Sequence, residues 1–291
     1  MKKRTVLNSP RLLALKKKRR RGLQSKILLL ILAFFILFTS LVFIFRIDKL
    51  NIETITIAGN KVVDTELIEE VIQDNLKGYY LYFLPKSNFL LFPENKIENE
   101  LAAKFGRLKD ISISLGGSKT LSVSLTEREG KYIWCGENLP DAAVQTNESL
   151  CYFMDDSGYI FDAAPYFSGS VYFKFFGPLD LNETGNPLGT YFAPEIFDKL
   201  VAFKDALISM NIKPVFVLVK NEDIEIYLSS NVVSVDAPKI IFKSDFELEK
   251  LSENLQTALA TEPLKSNFKN KYSSLSYIDL RFGNKVYFKF R

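Results

Sequence analysis

Histidine is absent from all 291 residues and cysteine occurs only twice, at Cys135 and Cys151. Ser-His-Asp and Cys-His nucleophile systems are therefore excluded in their usual form, and so are histidine-ligated and four-thiolate metal sites. Any catalysis would have to run on carboxylates, lysine, tyrosine or serine. One signature of that kind is present: Asp156-Ser157-Gly158 reproduces the Asp-Ser/Thr-Gly sequence in which two carboxylates share a proton and activate water. It occurs once, and an Asp155-Asp156-Ser157-Gly158 turn between aromatic strands is also what hairpin geometry favours. There is no Asp-x-Asp motif for a metal-bound nucleotide. Asn147-x-Ser149 and Asn182-x-Thr184 match glycosylation sequons, which arise often by chance and matter only in a eukaryote. A binding or structural role is expected, without cofactor, metal or catalytic residue. The competing class is an anchored carboxylate-dependent hydrolase, which would need two carboxylates roughly 5 to 10 Å apart in one pocket.

The length allows one large domain or two smaller ones, at about 100 to 200 residues each. A composition of 47% apolar and 25% charged residues is that of a folded protein. The net charge of +4 conceals a segregation: residues 1–26 hold eleven Lys or Arg and no acid, whereas residues 47–291 hold 26 bases against 34 acids. The folded part is thus acidic, which argues against a nucleic-acid partner. Between these regions lies Ile27 to Phe45, nineteen residues interrupted only by Thr39 and Ser40. As a helix it would span roughly 28 Å, the thickness of a bilayer core. It is longer than a signal-peptide core of about 7 to 15 residues and has no small-residue cleavage site after it. The prediction is a retained single-pass anchor in the cell membrane. The Lys16-Lys17-Lys18-Arg19-Arg20-Arg21 run should hold the N-terminus in the cytoplasm and leave the remainder extracytoplasmic.

After the span, Ile52 to Ile57 alternates as a half-buried strand and breaks at Gly59-Asn60. Asp64 is placed to cap a helix with Leu67, Ile68, Val71 and Ile72 on one face. Pro93 starts a second helix with Ile97, Leu101 and Phe105 in a stripe. Ile111, Ile113 and Leu115, a Gly116-Gly117-Ser118 turn, and Leu121, Val123 and Leu125 form a hairpin. The intervening aromatic stretch Tyr79-Tyr80-Leu81-Tyr82-Phe83-Leu84 is expected to pack against its own domain rather than touch a partner or lipid headgroups. The stretch Ile55-x-Ile57-x-Gly59-Asn60-x-x-Val63-Asp64, the β-α-α-β-β order and Leu121-x-Val123-x-Leu125-Thr126-Glu127-Arg128 together resemble a POTRA domain. Following a type II anchor, that combination is similar to the bacterial cell-division proteins of the FtsQ/DivIB family. Asp64 stands where that family usually has Ser or Thr, and Gly130 where it often has Pro.

Beyond Tyr132-Ile133-Trp134, Tyr152 to Met154 and Tyr159 to Phe161 flank the Asp-Asp-Ser-Gly turn. Val215 to Val219 pairs in the same way with Ile224 to Leu228, and Tyr277 to Phe282 with Lys285 to Phe290 across Gly283-Asn284. Two helices are interleaved. One begins near Pro194 with Ile196, Leu200, Phe203 and Leu207 on a face; the other follows Ser244-x-x-Glu247, a capping-box pattern, with Leu248, Leu251, Leu255 and Leu259. The expected fold class is α+β: a tail (1–26), a transmembrane helix (27–45), a POTRA-like domain (47–129) and an antiparallel-sheet-rich β domain with two helices (130–291). Cys135 and Cys151, both on the oxidising side, are expected to form a disulfide rather than remain buried thiols. A last strand at a sheet edge can accept a partner strand. The Tyr277-x-Asp279-x-Arg281 strand extends the resemblance over nearly all of residues 47–291. The resemblance implies a noncatalytic divisome scaffold at the septum that binds bitopic FtsB/DivIC- and FtsL-type proteins. Its partner site maps to Phe282, Gly283, Asn284, Lys285, Val286, Tyr287 and Phe288.

Overall fold

A basic cluster followed by a long apolar stretch makes α1, Pro10–Phe45, with proline at the start where its missing N–H costs nothing. The computed structural model describes residues 10–117, 119–140, 150–167, 171–181, 185–229 and 237–291. Both glycosylation sequons lie outside the described residues. Helix α1 carries the basic run as well as the apolar stretch, and its apolar part is exposed all round. It is long and apolar enough to cross a membrane, as an anchor or a signal sequence is.

The chain divides into two compact units, one running to Lys104 and including Asp110–Thr126, the other comprising Phe105–Lys109 and Glu127–Arg291. The first contains β1 (Thr54–Ala58), α2 (Thr65–Leu76), β2 (Tyr79–Tyr80), β3 (Leu84–Pro85), α3 (Glu94–Lys104) and most of β4 (Leu108–Leu115) and β5 (Thr120–Glu127). The sheet order is β1-β5-β4, with β1 parallel to β5 and Ile55 opposite Leu121. Alternation buries Leu121, Val123 and Leu125, and α2 packs on β1 and on α3. Beyond β1 the chain turns at Gly59, φ +104°, where a Cβ would lie 1.8 Å from the carbonyl oxygen of Leu125, so only glycine fits.

Three local expectations need correction in this unit. Leu67 is exposed, and the buried face of α2 is Ile68, Val71, Ile72, Asn75 and Leu76. Asp64 occupies the N-cap position without a side-chain cap bond; the preceding turn is held instead by Asn60, whose Nδ2 donates to the Val63 carbonyl and to Thr65 Oγ1, both at 2.9 Å. The aromatic stretch packs only in part: Tyr80 and Leu84 are half-buried in a small hairpin of β2 and β3, whereas its tip, Leu81-Tyr82, is exposed.

The second unit contains β6 (Tyr132–Trp134), β7 (Cys151–Met154), β8 (Ile160–Ala164), β9 (Lys174–Phe176), α4 (Phe197–Ser209), β10 (Pro214–Val219), β11 (Asp223–Leu228), β12 (Lys239–Lys243), α5 (Leu248–Ala260), α6 (Leu264–Asn270), β13 (Leu275–Phe282) and β14 (Lys285–Phe290). The sheet of nine described strands has the order β14-β13-β12-β11-β10-β9-β6-β7-β8. It is mixed rather than antiparallel throughout, since β9 runs parallel to β6 and β10, and β12 parallel to β13. A third helix, α6, adds to the two expected. Leu200, Phe203 and Leu207 of α4 and Leu251 and Leu255 of α5 share one core with inward residues of the sheet, including Phe175, Ile226, Ile240 and Ile278. Ser244 does not cap α5; its N–H bonds the Glu222 carbonyl at 2.9 Å, and the helix begins three residues later with Glu247 at the N-cap position.

A second apolar cluster of the unit contains Ile133, Phe176, Phe216, Leu218 and Tyr227, with Cys135 bonded to Cys151 across β6 and β7. Their Cα atoms are 4.2 Å apart, close to the spacing of a narrow antiparallel pair. Beside this cluster Glu225 is buried on β11 and accepts hydrogen bonds from Lys220 Nζ (2.6 Å), Tyr227 Oη (2.7 Å) and Lys239 Nζ (2.9 Å). Burial alone would raise its pKa, but these three donors outweigh burial and hold it at about 2.

Candidate partner-binding edge

All seven residues of the expected partner site lie on one hairpin, formed by β13, the Gly283-Asn284 turn and β14. The positive φ of +64° at Gly283 suits the two-residue connection, and Phe282 pairs with Lys285 across it. Among the described residues β14 has a strand neighbour on one side only, so its other edge is open. Alternation along β14 turns Val286, Phe288 and Phe290 onto the main core and exposes Lys285, Tyr287 and Lys289. On the exposed face Phe282 and Tyr287 meet edge to face, with centroids 5.2 Å apart.

The hairpin is braced at its turn end by charge. Arg281 grips Asp279 through Nε–Oδ1 (3.0 Å) and Nη2–Oδ2 (2.7 Å), and its Nη1 reaches Asp223 at the start of β11 (2.7 Å). Asp279 is only 5% exposed, so the arginine is what keeps its charge from being orphaned inside the sheet. The bond to Asp279 in turn raises the pKa of Arg281 further. The Asp and Arg of the Tyr-x-Asp-x-Arg pattern thus hold the ends of β11 and β13 in register, rather than presenting charge to solvent. Asn254 of α5 donates to the Gly283 carbonyl at 2.9 Å, fixing the turn from the helix side.

Between α5 and β14 runs an open groove of about 580 Å³, lined by residues that include Asn254, Thr257, Thr261, Asn284, Val286 and Phe288. Sequence reasoning missed its helical wall. It followed the apolar stripe of α5 and left unused the polar residues Lys250, Asn254, Thr257 and Thr261, which recur at helical spacing on one face. That face together with β14 offers a strand-shaped ligand both a backbone edge and a side-chain trough.

The carboxylate just before the protease-like Asp156-Ser157-Gly158 signature, Asp155, has other work. Asp155 accepts from Ser157 N–H (2.9 Å), Ser157 Oγ (2.7 Å) and Tyr159 N–H (3.1 Å), and pairs with Arg128 at 2.5 Å. Burial pushes its pKa up, but the bonds from Ser157 and Arg128 prevail and hold it below the ordinary carboxylate value. Asp155 and Asp156 line a depression of about 150 Å³ with Glu127, Glu129, Lys109 and Lys131. Glu129 is paired with Lys131 at 2.8 Å. Its bonds to Ser157, Tyr159 and Arg128 make Asp155 a turn-forming residue. Among the described residues no three of His, Cys, Asp and Glu cluster to hold a metal ion.

Comparison of the chain with models of known protein families, and with curated proteins, finds no match.

Proposed function

We propose that the chain is a noncatalytic, membrane-anchored scaffold of the FtsQ/DivIB type, which recruits a small bitopic division protein by adding a strand of that partner to β14. The observation that carries this reading is the open edge of β14 beside the braced Tyr277-x-Asp279-x-Arg281 strand. The order β1-α2-α3-β4-β5, with β1 and β4 flanking β5, supports a POTRA-like first unit. The single long apolar helix supports a type II anchor, and the excess of basic residues before it favours a cytoplasmic N-terminus. The partner expected from the resemblance is of the FtsB/DivIC type, with an FtsL-type protein in the same assembly at the septum.

In a two-residue hairpin the residues flanking the turn exchange both backbone bonds, and alternation turns the next N–H to the open side. On β14 that residue is Val286. Lys285 and Lys289 along the edge discourage self-association and attract an acidic strand. Val286→Pro removes an outward donor and places a ring on the docking edge, so capture of the partner should weaken about tenfold or more while the hairpin stays paired to β13. Affinity capture of the full chain from host membranes, followed by identification of the co-purifying bitopic protein, tests the class of partner. A truncation before Lys285 that keeps its fold and captures that protein undiminished would overturn the site.

A further inference from the structure

The hairpin of β2 and β3 is built against local preference. Tyr80 and Phe83 close its turn through a 3.1 Å backbone bond from Phe83 N–H to the Tyr80 carbonyl, and both central residues have positive φ, Leu81 at 48° and Tyr82 at 67°. That backbone is ordinarily given to Asn-Gly, because a Cβ crowds the following carbonyl. Here two large apolar side chains occupy it, and they are 81% and 90% exposed. Strain combined with exposed apolar surface points to a contact outside the protein.

The position of the hairpin says which contact. It is fastened beside the end of α1: Asn88 Nδ2 donates to the Phe45 carbonyl (3.1 Å), Ile52 N–H to Ser87 (2.8 Å) and Phe89 N–H to Leu50 (3.0 Å). From there it runs back along the helix, so that the Phe83 ring meets the Phe38 ring edge-on at 6.2 Å. Phe38 lies seven residues before Phe45, about 10 Å down the helix axis. In the last turns of α1 only Val42 and Phe45 are half-covered, and they mark the stripe against which the hairpin lies. Two cations stand by the hairpin: Arg46 bonds the Phe83 carbonyl at 3.3 Å and lies over Tyr79, while Lys86 lies over Tyr80. Aromatic rings and cations flanking an apolar tip are the residues that settle at a membrane interface.

We infer that the Tyr79–Pro85 hairpin is a second membrane attachment. Its Leu81-Tyr82 tip sits among the lipid chains of the leaflet at the C-terminal end of α1, with Arg46 and Lys86 at the level of the phosphates. The inference rests on α1 spanning the bilayer. Its consequence is a two-point hold that fixes the first unit's orientation to the membrane surface, where one helix alone would leave it free to swing.

The test places a nitroxide spin label at single introduced cysteines in the full chain; the two native cysteines are bonded to each other and stay unlabelled. Tyr82→Cys, Phe35→Cys and Val62→Cys are each reconstituted in phosphatidylethanolamine/phosphatidylglycerol vesicles. Collisions with oxygen, which partitions into lipid, are compared with collisions with a water-soluble nickel chelate. All three positions are exposed, so the fold tolerates the changes. The expected result is an oxygen-to-nickel ratio at residue 82 several-fold above that at 62 and close to that at 35. A ratio at 82 equal to that at 62, with 35 in lipid, overturns this inference alone. Shielding of 82 from both reagents would indicate a protein contact and also overturns it. A water-exposed residue 35 removes the membrane span itself, and with it both this inference and the anchored reading above.

Discussion

Glu225 shows what a single buried charge does for this molecule. Its folded pKa of about 2 lies below the usual 4.5, so the unfolded chain takes up a proton more readily than the folded one. The carboxylate therefore contributes stability that is fully present above about pH 4.5 and is lost as pH falls through that window toward 2. From the size of the shift the contribution is on the order of 2 to 3 kcal/mol, allowing for the solvent that reaches Lys220. Trp134, the one tryptophan in the chain, is buried in the second unit with its Nε1 bonded to the Gly177 carbonyl at 3.0 Å, so its fluorescence reports that unit alone. Urea unfolding followed at Trp134 should show a steep loss of stability between pH 5 and 3. Glu225→Gln should lower stability by about 2 kcal/mol at pH 7 and flatten that loss without abolishing it, because Asp155 is shifted in the same direction. A variant as stable as the parent at pH 7, with an unchanged acid limb, would mean that solvent already satisfies this network. No local pattern announced Glu225. Its partners come from the β10–β11 turn, β11 and β12, and its cost in isolation is visible only once the strands are paired.

At the scale of elements, strands with a two-residue period were legible and those without it were not. Leu121, Val123 and Leu125 announce β5, and the Gly283-Asn284 turn between alternating runs announces β13 and β14. Strand β9 is three residues long and exists because β6 and β10 flank it, while β12 owes its place to β11 and β13. Both make parallel pairs, which no short turn signals. The start of α5 slipped because the Glu222 carbonyl claims the N–H of Ser244, whereas α2 starts where Asp64 places it although that side chain does not cap. In the proposed partner-binding region the hairpin was legible and the α5 wall of the groove was not, since a stripe of apolar residues passes over polar faces. The Cys135–Cys151 bond clips β6 to β7 around a loop of about 17 residues, which contributes on the order of 3 kcal/mol in the chain-entropy model. Replacing both cysteines with serine should lower the unfolding free energy read from the Trp134 urea transition by about that amount while leaving its cooperativity intact. Labelling of both thiols by an alkylating reagent, in protein denatured without reductant, would show that no bond is present in the isolated chain.

At the scale of the whole molecule, the anchored reading proposed above takes its orientation from the segregation of charge. The eleven bases before the apolar stretch face no acid until Asp48, and α1 carries the run Lys16–Arg21 on the same continuous helix as the apolar residues. Moving each charge outward against a potential of 100 mV, inside negative, costs about 2.3 kcal/mol, so the six-charge run resists transfer by on the order of 14 kcal/mol. The acidic remainder, at a net −8, meets no such barrier. A tag at the C-terminus should therefore be digested by protease added to intact spheroplasts, and one at the N-terminus should be protected. Neutral residues in place of Lys16–Arg21 remove most of that bias. They should leave a fraction of chains inverted, with protected C-terminal tags, while the Trp134 unfolding transition stays where it was, because the run belongs to the first unit and Trp134 to the second. A C-terminal tag protected in the parent protein would reverse the orientation. It would also place the β14 edge in the cytoplasm, where a bitopic partner could meet it only through a cytoplasmic segment.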